Sequence, residues 1–162
     1  MYLACCHFFE EADVAIFAAA VADYRPEKVA EQKIKKDDSY FTIKMVKNID
    51  IAFEFGKVKT NNQLSVGFAL ETNDELKHAI GKLDKKNFDM VILNSMNDTN
   101  ATFGFDTNKI TVIRDDFSMT NYPLKSKQEV AGDIVYEIGT LLSLKEITGT
   151  KENVWEYETM YR

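Results

Sequence analysis

The sequence predicts a three-layer α/β domain, Rossmann-like in class, with a mainly parallel sheet and one projecting β-hairpin. Three observations carry this expectation. Short, mostly apolar runs recur at residues 14–17, 64–69 and 90–93, as in strands buried on both faces of a helix-covered sheet. Amphipathic stretches of helical period follow, two of them introduced by a Ser/Thr-x-x-Glu capping pattern. Strand and helix patterns thus alternate, and that alternation builds a parallel sheet flanked by helices.

Taken in order, residues 1–11 read as the end of a helix, with Leu3, Ala4, His7 and Phe8 at helical spacing. His7 reads better as a helix-end residue than as a catalyst. Residues 14–17, Val-Ala-Ile-Phe, form the first strand. Ala18, Ala19 and Ala20 then leave room for close approach to the backbone, and Asp23 and Arg25 follow at the carboxyl end of the strand before Pro26 stops the run. In open α/β sheets ligands bind in the crevice above such strand ends. Two readings fit these residues alone: a ligand site, or a small-residue strand end packed under a helix with Asp23 and Arg25 solvated.

Segments 33–36 and 40–46 flank Asp37-Asp38-Ser39, a turn cluster, and predict a hairpin over 33–46. Phe41, Ile43 and Met45 alternate with polar neighbours on its second arm. Asn48 caps a predicted helix over 49–55 that Gly56 ends. After the strand at 64–69, Thr72 and Glu75 form a capping box, and Leu76, Ala79, Ile80 and Leu83 a helical apolar stripe. Lys82, Lys85 and Lys86 crowd the last turn, where the helix dipole stabilises each cation by roughly 0.3–1 kcal/mol. Lys82 and Lys86 lie one turn apart on a single face.

Residues 90–93 are the next buried strand, and 94–106 a polar loop. Residues 109–114 alternate as an edge strand, pairing near Tyr122. Ser126 and Glu129 make a second capping box before a helix whose apolar face is Val130, Ile134, Ile138, Leu141 and Leu142. Beyond Lys145 the chain turns polar, although Trp155, Tyr157 and Tyr161 suggest docking.

At 162 residues the chain reads as a single domain, large enough for a real core. Hydrophobic residues at 45% and charged residues at 28% fit a soluble globular protein. A formal net charge of −6 argues against a nucleic-acid partner. No run approaches the roughly 18–20 apolar residues of a membrane span, and the start lacks a signal-peptide pattern, so a cytoplasmic location is expected. Cys5 and Cys6 are adjacent, which suits neither a structural disulfide nor a metal site; they read as free buried thiols. Charge inverts locally: residues 25–48 hold seven Lys or Arg against four Asp or Glu. That surplus suits an anionic ligand, and a solvated hairpin tolerates it equally.

The literal residues are more specific. Ala19-Ala-Val-Ala-Asp-Tyr-Arg-Pro26 with Lys33-Ile-Lys-Lys36, Lys44-Met-Val-Lys-Asn-Ile-Asp-Ile51, Gly67-Phe-Ala-Leu-Glu-Thr72 and the block from Lys82 to Asp89 occur in order. Together they closely resemble phosphopantothenoylcysteine synthetase, the ligase of coenzyme A biosynthesis, over residues 12–142. The match looks like the bacterial, CTP-using form. That resemblance implies a reaction in two halves. The carboxylate of 4′-phosphopantothenate attacks the α-phosphorus of CTP, releasing pyrophosphate and leaving an acyl-cytidylate. The amine of cysteine then attacks the activated carbonyl, giving 4′-phosphopantothenoylcysteine and CMP. Two anions must meet and a third must leave, so positioning and positive charge matter more than a side-chain nucleophile.

The resemblance also assigns roles. Lys33 corresponds to an essential mobile-loop lysine that neutralises phosphate charge. Phe17, Ala18, Ala19, Ile49, Asp50, Ile51 and Ala52 line the nucleotide pocket, and Ala19 and Ala20 meet the acyl substrate. Phe68 faces the nucleotide, and Lys82 and Lys86 hold its polar parts. Asp23 contacts the nucleotide directly or through Mg²⁺. No tightly bound organic cofactor is implied, and the 33–46 hairpin helps to form a homodimer. Ile49 stands where proline is common, and Leu70 where alanine is. Relatives carry a further amino-terminal segment with a glycine-rich turn, whereas the first glycine here is Gly56. The alternatives are a nucleotide-binding or dimerisation module without complete catalysis, and a generic Rossmann-like domain for another nucleotide.

Overall fold

A computed structural model describes residues 1–34, 40–98, 100–101 and 104–160, with side chains as far as Lys145. Its middle layer is a five-stranded sheet in the order β1-β4-β5-β7-β8, formed by Val14–Phe17, Leu64–Glu71, Met90–Ser95, Thr111–Arg114 and Met119–Asn121. The first three run parallel, with Phe17 opposite Gly67 and Val66 opposite Met90. β7 and β8 close the far side as an antiparallel pair, and β6 (Thr107–Asn108) pairs with β9 (Lys125–Ser126) in a separate two-stranded ribbon. The mainly parallel three-layer α/β expectation is therefore met.

Side chains of adjacent strand residues point to opposite faces, so β4 feeds two cores. Leu64 and Val66, with Met90, Ile92 and Val112, meet Val130, Ile134 and Ile138 of α4 (Lys127–Met160). On the other face Ala69, Val91, Leu93 and Ile113 pack with Ala52 of α2 (Ile51–Val58) and with Ala79 and Leu83 of α3 (Glu75–Lys85). Among the described residues no helix is long and apolar enough to cross a membrane.

Several local expectations change. β1 lies at the sheet edge, and Ile16 is 49% exposed, so this strand is not buried on both faces. β5 is the strand covered on both faces, with Met90, Val91, Ile92 and Leu93 all buried. The strand expected at the other edge is internal: Val112 and Ile113 are fully buried because β8 takes the edge, and the Tyr122 amide extends that pairing to Ile110 O.

The Ser126 capping box forms, with the Ser126 amide 3.0 Å from Glu129 Oε2 and the Glu129 amide 3.2 Å from Ser126 Oγ. The Thr72 box does not. Glu75 is recruited across the strand ends by Ser95 Oγ and Asn97 Nδ2, and Asp74 takes the N-cap with φ +46°. α2 begins two residues later than expected, with Asp50 as its N-cap, whose carboxylate accepts from the Phe53 amide at 3.2 Å. Gly56 lies inside that helix. A Cβ there would stand 2.1 Å from Lys86 O, so glycine lets α2 close onto the end of α3.

α1 (Tyr2–Phe9) buries Phe9, which stacks on Phe55 at 4.3 Å, while Leu3 and Phe8 are exposed. The expected spacing therefore marks the outer face. Buried Gln63 ties the helix end down through Phe9 O and Ala12 O. Cys5 is half-buried and Cys6 exposed, so neither is the buried thiol expected. α4 is anchored by Glu137, which accepts from Arg114 and, at 2.6 Å, from Tyr122. The side chains of Trp155, Tyr157 and Tyr161 lie outside the described residues.

The projecting ribbon has a different pairing from that expected. β2 (Tyr24–Pro26) pairs antiparallel with β3 (Met45–Lys47), with Arg25 opposite Val46. Residues 33, 34 and 40–44 have no regular structure, and the expected turn at 37–39, with Lys35 and Lys36 of the arm before it, lies outside the described residues. Tyr40, Phe41, Ile43 and Met45 are all exposed, so no face of this segment is covered by its own domain.

Candidate functional site

An open cavity of about 680 Å³ lies at the carboxyl ends of β1 and β4, within the usual range for a small-molecule site. Its position follows from the local sequence. After Phe17 the chain leaves the sheet over Ala18, Ala19 and Ala20, and Asn48 then fixes the return path. The Asn48 amide donates to Asp23 O at 2.7 Å, and its Nδ2 donates to Ala22 O at 2.7 Å. Arg25 Nη1 reaches Lys47 O at 3.2 Å and Asn48 Oδ1 at 3.3 Å. These bonds bring the exit of β1 beside the start of α2, whose amino-terminal amides favour negative charge.

An aromatic floor supports the walls. Phe17 lies 5.7 Å from Phe88 and 6.1 Å from Phe55 between ring centres. Gly67 is required beneath it, because a Cβ there would stand 2.2 Å from the Phe88 ring. Four lysines line the cavity (Lys47, Lys82, Lys85 and Lys86) against two carboxylates, Asp23 and Asp50. Two of these lysines are held. Lys82 Nζ donates to Glu71 at 2.7 Å, and Lys86 Nζ donates to Asp50 at 3.1 Å. Burial raises the Asp50 carboxyl, but the bonds from Lys86 and the Phe53 amide outweigh it and hold it below the usual range. The arrangement is suited to an anion with an apolar body.

Residues 1–141 match the family described as DNA/pantothenate metabolism flavoprotein C-terminal domain. The chain belongs to this family. It is 48% identical over 134 residues to a protein named cysteine/cysteine sulfinic acid decarboxylase, from an unknown prokaryotic organism, covering 83% of this chain and 37% of that protein. It is 38% identical over 133 residues to the coenzyme A biosynthesis bifunctional protein CoaBC of Bacillus subtilis, covering 82% and 32% respectively. The chain thus spans about a third of the length of these relatives. The crystal structure of the C-terminal domain of a CoaBC protein superposes with a TM-score of 0.69 at 33% identity, covering 88% of this chain and 61% of that one. A Cab2 mutant in complex with phosphopantothenate-cysteine shares the fold, with a TM-score of 0.62 at 18% identity, 83% of this chain and 46% of the other being covered.

Within this member of the family, the cavity brings together Phe17, Ala19, Asp23, Ile49, Asp50, Ile51, Ala52, Phe68, Lys82 and Lys86. Ala18 and Ala20 are exposed beside it and are not part of its wall; nor is Lys33, which is exposed on the segment after β2. Lys47, Lys85 and Asn48 reach the site unforeseen. Lys85 reads as a surface cation in a helix's last turn, and Lys47 and Asn48 are placed by the distant pairing of β3 with β2. Among the described residues, no ion pair or hydrogen bond engages the Asp23 carboxylate, and no three His, Cys, Asp or Glu side chains converge to hold a metal ion.

Proposed function

We propose that this chain is the nucleotide-activating part of a phosphopantothenate–cysteine ligase of coenzyme A biosynthesis, using CTP and forming an acyl-cytidylate with 4′-phosphopantothenate before cysteine attacks. The observation that carries this reading is the cavity itself. Its wall combines Phe68, the amino terminus of α2 and four lysines at the exit of β1. The names of the CoaBC relatives and the family match support the same pathway.

In this reading Phe17 and Phe68 bracket the apolar body of the nucleotide, while Lys82 and Lys86 meet its anionic and polar groups. The strand-end backbone at Ala19 and Ala20 lets the acyl substrate approach closely. Mg²⁺ suits a donor set of one unpaired carboxylate, Asp23, because this ion is commonly held by one or two carboxylates and by substrate phosphates. Bound there, it would offset triphosphate charge. Calorimetric titration with CTP and ATP in the presence of Mg²⁺ tests the nucleotide choice. CTP is expected to bind more tightly, and equal affinities would remove the CTP assignment while leaving the fold unaffected.

A homodimer held by the 33–46 segment belongs to the same proposal. Tyr40, Phe41, Ile43 and Met45 are all exposed on the segment that leads into β3, the kind of apolar surface that a partner covers. Light scattering at tens of micromolar is expected to give twice the chain mass; a monomer at that order of concentration, where modest interfaces are occupied, counts against it. A second reading is a nucleotide-binding or dimerisation module without complete catalysis. Nucleotide binding without amide formation would select it.

A further inference from the structure

We infer that Glu71 is a positioning residue of the nucleotide site, holding the Lys82 ammonium at the cavity wall for the anionic part of the nucleotide. The inference rests on the nucleotide-binding reading above and adds a residue outside the cavity wall. Glu71 is the last residue of β4, and its position is fixed by the sheet. It is in register with Ser95, and its carbonyl accepts from the Met96 amide at 2.8 Å. Its side chain is only 14% exposed. One carboxylate oxygen accepts from Lys82 Nζ at 2.7 Å, and the other lies 3.3 Å from His78 Nδ1.

His78 and Lys82 are one turn apart on α3, so the carboxylate grips one face of that helix at two points. Lys82 lines the cavity and Glu71 does not. The carboxylate therefore stands behind the lysine, as Asp50 stands beside Lys86. A free lysine samples many rotamers and loses that freedom on meeting a ligand, whereas a held one has already lost it.

The direction of the effect separates positioning from mere proximity. An acid that only neighbours an anion site repels the anion, and its neutralisation tightens binding. A positioning acid has the opposite signature. CTP titrations with Mg²⁺ on wild type, Glu71→Gln, Lys82→Ala and the double variant decide the matter. Glu71→Gln is expected to weaken binding by about tenfold, and the double variant to bind no worse than Lys82→Ala, since coupled neighbours do not add. Glu71→Asp keeps the charge and recovers part of the loss. Glu71→Gln binding as tightly as wild type or tighter, or losses that add in the double variant, overturns the inference with the nucleotide reading intact. Wild type that binds neither CTP nor ATP overturns that reading and this inference with it.

Discussion

Lys33→Gln is expected to lower the rate of amide formation by about 10²–10³, the loss seen when one preorganised donor to a developing anion is removed. Lys28→Gln, on the same exposed segment, is expected to stay near wild type. The contrast is sharp because Lys33 does not line the cavity: it is exposed and has no partner among the described residues. A lysine so placed is either an ordinary surface charge, worth under about 0.5 kcal/mol of stability, or a group that comes to the phosphates only with substrate in place. CTP binding should weaken only modestly, since Lys47, Lys82, Lys85 and Lys86 already furnish the resident positive charge. Pyrophosphate release and product formation measure the two variants side by side. Equal rates return Lys33 to the surface.

What could be read from the chain beforehand divides along the range of the interactions. The runs at 64–69 and 90–93 became the interior strands β4 and β5, whose mostly apolar residues pack against helices on both sides of the sheet. The run at 14–17 has the same composition, yet it lies at an edge. Composition alone does not say whether a second neighbour is present. Lys82 and Lys86 were legible as site residues only through the family resemblance, since their one-turn spacing in a helix's last turn equally fits cations placed against the helix dipole.

Non-local choices were not legible. Thr72-x-x-Glu75 and Ser126-x-x-Glu129 look alike as patterns, but Ser95 and Asn97 draw Glu75 away, whereas Glu129 meets no such competitor among the described residues. Asn48 looks like a helix cap, and its side chain instead bridges to Ala22 O and Arg25. The ribbon partner of β3 is β2, a pairing of segments far apart in sequence, and that choice carries Lys47 to the cavity.

Asp89→Ala is expected to be the most damaging single substitution away from the site, at about 3–5 kcal/mol, the usual cost of breaking a buried ion pair from one side. The carboxylate sits at the start of β5. It takes Lys59 Nζ at 2.7 Å on Oδ2 and Lys145 Nζ at 2.7 Å on Oδ1, and the Ser65 amide donates to it at 2.7 Å. Lys59 and Asp89 side chains are each only 8% exposed, so removal of the acid leaves an ammonium with little water to replace it. The damage also spreads, because Lys145 joins α4 to Gln63 O at 2.8 Å beside the first strand pair. Burial raises the Asp89 carboxyl, and the bonds from Lys145, Lys59 and the Ser65 amide outweigh it, holding it below the usual carboxylate range. A depressed folded-state value means that the contribution is complete above the unfolded carboxyl value, about 3.9, and fades as pH falls through the folded one. Denaturant unfolding should therefore show a constant gap between wild type and Asp89→Ala from neutral pH down to about 5, narrowing below about 4. Lys57→Met, which removes an exposed pair with Glu54, provides the control at under about 0.5 kcal/mol. A gap for Asp89→Ala as small as that control, or one that widens in acid, would show that this cluster does not clamp the sheet to α4.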